Sequence, residues 1–232
     1  MAGKLRSGLL GAGYLASVSA SGITLVWYFT LSFLAAVEDL PGDRVLRDLH
    51  DAIPISTVTL QDGLRSRENA NHWMFSPNRA LDIGILNLEI ARRIQPGQWE
   101  QSNAPQAAIE GFIAALRATP LSSYAWNGLM IAETGLGEPA ERIERLFQLS
   151  VINAPVEERL GISRVAFGLT NEHWLSRETK DLTRRQIRLA AMMKPDQLFT
   201  LVDRINRREE TADYLEAIGG HDELVNKLRA LP

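Results

Sequence analysis

The residues best suited to chemistry in this sequence are scattered rather than grouped. His50, His72, His173 and His221 stand apart, and none has the HxxxH or HxxE spacing that puts two metal ligands on one helix face. There is no cysteine, which removes thiolate zinc sites, Cys nucleophiles, iron–sulfur clusters and disulfide scaffolds together. No GxSxG, GxxxxGK[ST] or strand-bounded GxGxxG occurs. The glycine clusters GLLGAG (8–13) and GLGE (135–138) lie in an apolar run and at a helix stop, the wrong settings for phosphate binding. The acid runs Glu157-Glu158 and Glu209-Glu210 fall at helix starts, where the macrodipole accounts for them. Arg184-Arg185 and Arg207-Arg208 read as solvated faces or partner contacts. His173-Trp174 is suited to ligand stacking, but such a Trp more often fills a gap between helices. The sequence thus predicts no catalytic residue, no metal site, no cofactor and a non-enzymatic role. A net charge of −3 without a basic block argues against a nucleic-acid partner.

The strongest signal is physical rather than catalytic. From Ser7 to Val37 no side chain is charged, and a bilayer core needs only about 20 apolar residues. The spacing predicts a transmembrane helix over 9–37, in contact with the lipid bilayer, after a short N-terminus (1–8). A cleaved signal peptide is the rival, with Lys4 and Arg6 ahead of the run and a small-residue site at Val18-Ser19-Ala20. Cleavage there would leave SGITLVWYFTLSFLAAV, still a lipid-seeking segment, so an uncleaved anchor is the better reading. Lys4 and Arg6 before the span, and Glu38, Asp39 and Asp43 after it, predict a cytoplasmic N-terminus with the bulk of the chain periplasmic or otherwise outside. Within the span, Ala12, Ala16 and Ala20 recur every four residues, as do Gly13, Ser17 and Ser21. These two rows lie side by side on one helical face. Small residues let helix backbones approach closely in lipid, so this face predicts a membrane-protein partner or self-association.

The elements that follow read as helical. Residues 38–75 form a junction, with a stop at Pro41-Gly42, a short helix at 45–49, one β-leaning stretch at 54–60, and a polar loop or short helix at 65–73 whose Trp73 docks on the domain. Ser76-Pro77 then opens a run of helices through 206. Two short helices divided by Gly219-Gly220 cap the chain over 207–232. The predicted fold class is all-α, a membrane helix followed by stacked helical hairpins.

These helices repeat. Ala108-x3-Phe112-x2-Ala115-x4-Pro120 recurs as Ile143-x3-Phe147-x2-Ser150-x4-Pro155, and more loosely as Thr183-x3-Ile187-x2-Ala190-x4-Pro195. Ala125-Trp126-x2-Leu129 follows the first copy. On these residues, segment 76–206 resembles the tetratricopeptide-repeat-like family, an α-solenoid. Met130, Glu133 and the inserted loop 95–103 depart from that family's pattern. The resemblance implies a concave surface for a protein partner, with Tyr124, Asn127 and Ile131 as its liners; packing between repeats is the alternative role for them. The run from Ala118 to Leu169 also resembles small anchored repeat proteins of bacterial exopolysaccharide and O-antigen export. Together these imply a scaffold in the inner (plasma) membrane. The alternatives are an accessory subunit of a respiratory, photosynthetic or secretion complex and, from another class, an envelope glycan-acting enzyme.

Overall fold

The computed structural model describes the backbone of residues 2–94 and 101–230, and side chains from residue 21 onward within those ranges. It is all-α, 83% helix, with no strand among the described residues. The helices are α1 (Ala2–His50), α2 (Thr57–Trp73), α3 (Pro77–Arg92), α4 (Ala104–Ala118), α5 (Ser123–Leu136), α6 (Ala140–Asn153), α7 (Glu158–Thr170), α8 (Arg177–Met193), α9 (Pro195–Arg204), α10 (Arg208–Ile218) and α11 (Asp222–Arg229). A 3₁₀ turn over Glu172–Trp174 links α7 to α8.

Local chemistry sets many of the ends. The hydroxyls of Ser56, Ser122 and Ser176 accept from the backbone N–H three residues on, at 3.1, 3.3 and 3.3 Å, capping α2, α5 and α8. Pro77, Pro105 and Pro195 occupy first turns, where a missing N–H costs nothing. Gly137 closes α5 in the left-handed conformation at φ 73°.

Several local expectations fail, and the failures at Pro41 and at 54–60 have tertiary causes. Pro41-Gly42 does not stop α1, which runs on to His50 with the proline inside it. Gly42 N–H donates to Ser66 Oγ at 3.1 Å, and the Ser66 hydroxyl donates to the Glu38 carbonyl. A buried side chain from α2 thus joins the two ends of a ladder rung beside the proline. The short helix at 45–49 is simply the end of α1. The β-leaning stretch 54–60 is no strand: Ser56 caps it into α2, and Leu60 is fully buried against Val45 and Leu86. Residues 65–73 continue that helix. They bury Ser66, Arg67 and Ala70, while Trp73 stays 42% exposed instead of docking.

Hairpins α1/α2, α3/α4, α5/α6 and α7/α8 pack in succession, and α9 to α11 close the end. The main core gathers Phe112, Met130, Phe147 and Phe167; a second, around Val165, Leu198, Val202 and Leu215, holds the C-terminal helices. All nine apolar or small positions of the repeated pattern are buried: Ala108, Phe112 and Ala115; Ile143, Phe147 and Ser150; Thr183, Ile187 and Ala190. Two glycines make room for the largest of them. A Cβ on Gly84 would come within 2.7 Å of the Phe112 ring, and one on Gly128 within 2.3 Å. Phe112 therefore sits between α3 and α5 only because both helices carry glycine where it passes.

Candidate functional site

Three regions bear on function: the exposed stretch of α1 from Ser21, the charged base that holds it, and a groove at the far end of the hairpin array.

Segment Ser21–His50 of α1 includes a stretch long and apolar enough to cross a membrane, of which only 6% is buried. Ile23, Val26, Trp27, Phe29 and Phe33 are each more than half exposed. Of the small-residue face, Ala12, Gly13, Ala16, Ser17 and Ala20 have side chains outside the described residues; Ser21 is described and exposed. Helix α2 returns antiparallel beside α1 as far as Ser32, whose hydroxyl donates to Met74 Sδ at 3.5 Å. Ala35 is fully buried. Among the described residues, Ser21 to Thr30 are exposed and cover begins at Leu31 and Ser32, short of the predicted span end at Val37. The length from residue 9 to Thr30 is about 33 Å at ~1.5 Å per residue, close to a ~30 Å hydrocarbon core.

Just past that level the sequence changes to charge, and the charges lock together. Arg67, 5% exposed, reaches Asp39 at 2.6 Å, Asp43 at 2.5 Å and Asp82 at 3.2 Å. Arg79 takes the other Asp39 oxygen at 2.6 Å and donates to the Met74 carbonyl at 2.6 Å. Burial alone would lower the Arg67 guanidinium, but the bonds to Asp39 and Asp43 raise it overall. Burial above all, with smaller contributions from Asp43 and Asp39, pushes Asp82 up to about 6 against the opposing pull of Arg67 and Arg79. Three helices meet in this one cluster. No sequence motif marks it, because its members lie 28, 24 and 15 positions from Arg67.

The sequence-predicted liners have structural partners. Tyr124 donates to Glu157 Oε1 at 2.9 Å. Asn127 is buried and accepts from the Ser163 hydroxyl at 3.2 Å. Ile131 packs on the main core. Tyr124 and Asn127 thus tie α5 to α7 and its N-cap, while Tyr124 and Ile131 remain half-buried. Trp174 likewise packs edge-on against Phe167 at 5.9 Å. Glu133 is buried and held bidentately by Arg142 at 2.6 Å through both oxygens.

An open site lies instead between α7, α8 and α10, a groove of about 280 Å³. Leu169 and Ile187 line its apolar part, and Lys180, Arg184, Glu210 and Tyr214 bring polar groups to it. Glu172 faces Glu210, and that contact, with burial, raises its carboxyl above the ordinary range. The Thr211 hydroxyl, sealed from solvent, has no hydrogen-bond partner among the described residues. Of these, Arg184 and Glu210 were visible in sequence only as members of charged runs. Nothing in the sequence signalled that α8 and α10 would bring them together. Among the described residues no group of three or more His, Asp or Glu is placed to hold a metal. No protein-family model matches this chain, and none of the curated proteins is significantly similar to it.

Proposed function

We propose that this chain is a non-enzymatic scaffold of a cell envelope, anchored by α1 and carrying a helical array that docks a second protein. The observation that supports it most is the form of α1. Its exposed, uncharged segment from Ser21 to Thr30 continues without a break into the charge cluster that α2 and α3 close around it. An arm that ends in a fixed base transmits position, which is what a scaffold needs and a tether does not. The N-terminus lies in the cytoplasm, following Lys4 and Arg6, and the array lies in the periplasm. The small-residue face of α1 takes a membrane protein, and the groove between α7, α8 and α10 takes a segment of a soluble partner. Exopolysaccharide or O-antigen export is the envelope system suggested by the sequence resemblance.

The test is a pull-down of the full chain from solubilised membranes. Ala16→Leu with Ser17→Leu removes one stoichiometric partner, and Glu210→Arg removes a different one. Loss of one and the same partner in both variants would favour an accessory subunit inside a single complex. Extraction of the wild-type chain from membranes by alkaline carbonate would overturn the anchor.

A further inference from the structure

The corner between α2 and α3 carries a second feature at the membrane end of the array. Its residues run His72-Trp73-Met74-Phe75-Ser76. Trp73 is 42% exposed and Phe75 53% exposed, although each has a large apolar area to bury. Between them, Met74 turns inward, its sulfur against Ser32 of α1. The corner itself is held firmly: Arg79 donates to the Met74 carbonyl, and Ser76 N–H donates to Asn71 Oδ1 at 3.0 Å. Both aromatics are therefore presented to the outside by a fixed piece of backbone, at the level where the uncovered part of α1 ends.

We infer that Trp73 and Phe75 are inserted in the headgroup layer of the bilayer, giving the array a second membrane contact beside its anchor. The inference rests on the proposed anchor, because only lipid around α1 places a membrane surface at Ser32. The amphipathic indole of Trp73 is the kind of ring that the interface favours at a span's end, Phe75 adds apolar area beside it, and His72, packed edge-on against Trp73 at 6.2 Å, adds a polar neighbour. Phe33 and Val37 of α1 also remain exposed beyond Ser32. A helix alone could tilt and rotate in the bilayer. With a second contact point off its axis, the array is held at one angle to the membrane.

The absence of cysteine makes the test direct. Full-length chains carrying Ile23→Cys, Phe75→Cys or Glu209→Cys are labelled with an environment-sensitive fluorophore and reconstituted in phospholipid vesicles. The label at 75 is expected to emit to the blue of that at 209, to resist iodide, and to be quenched by lipids brominated near the headgroup end of the chain. The label at 23 is quenched by lipids brominated deeper. If the label at 23 reports lipid while that at 75 is as open to iodide as that at 209, the corner is solvated and the inference fails with the anchor intact. If the label at 23 also reports water, the anchor and the inference fall together.

Discussion

At the scale of single residues, the buried charges decide most. Arg164 is fully buried with no carboxylate in ion-pair contact among the described residues, and burial lowers its guanidinium to about 10. It donates to the Ser150 and Ala154 carbonyls at 2.5 and 2.8 Å, to Ser150 Oγ at 3.1 Å and to Gln186 Oε1 at 3.4 Å. Its role is to satisfy the carbonyls at the end of α6, where the helix dipole is negative and no intrahelical donor remains. A lysine keeps the charge but offers one nitrogen in place of three. Arg164→Lys should therefore cost about 2–4 kcal/mol, read as a drop in thermal stability. Asp82 gives the opposite kind of prediction. Its folded value of about 6 lies above the ordinary 3.8, so the fold holds its proton more tightly than the unfolded chain does. The stability it contributes is present below about pH 4 and is lost as pH rises through about 6. At about 1.4 kcal/mol per pH unit, that loss is on the order of 3 kcal/mol. Asp82→Asn should flatten the stability profile between pH 4 and 6 and raise thermal stability at pH 7. A variant as pH-sensitive as the wild type would show that Asp82 does not titrate in this window.

At the scale of elements, packing is set by where bulk and its absence coincide. Gly128 of α5 and Gly84 of α3 flank the Phe112 ring. Alanine at 128 gains up to about 1 kcal/mol of helix propensity, but its Cβ would stand 2.3 Å from a ring that Gly84 already confines. Overpacking of this kind costs about 1–3 kcal/mol, so Gly128→Ala should destabilise the chain. Adding Phe112→Leu should recover part of the loss, a coupling that a double-mutant cycle measures. These elements also show how much the sequence disclosed. Helices α3 to α11 were legible because caps, prolines and the repeated Ala108–Phe112–Ala115 spacing are local signals. The path through Pro41 and the folding of 54–73 into α2 were not. Each depends on a side chain from another helix: Ser66 beside the proline, and Leu60 against Val45 and Leu86. The groove was hidden for a similar reason, since Glu172, Lys180 and Glu210 meet only once α7, α8 and α10 have packed.

At the scale of the whole molecule, the question is what keeps the array fixed to its arm. Apolar packing at the base is modest: Val45, Leu60 and Leu86 are its buried members, with Leu46, Leu49, Ile55, Leu64 and Ile90 partly covered. The remaining hold comes from Arg67, where one guanidinium from α2 joins two acids of α1 to one of α3. A buried ion cluster adds little net stability when complete, because desolvation offsets the attraction. Broken, it is costly, since Asp39 and Asp82 would remain confined with only Arg79 to balance them. Arg67→Met should thus cost about 3–5 kcal/mol and act locally, on the α1/α2/α3 junction rather than on the Phe112 core. Spin labels at Phe29→Cys and Gln106→Cys, one on the arm and one on α4, measure this in reconstituted vesicles. The wild-type background should give one narrow distance distribution, and Arg67→Met a broad one. Hydrogen exchange should rise across 57–73 while 140–153 stays protected. A narrow distribution in Arg67→Met would mean that apolar contacts alone fix the arm, and that the charge cluster serves some purpose other than rigidity.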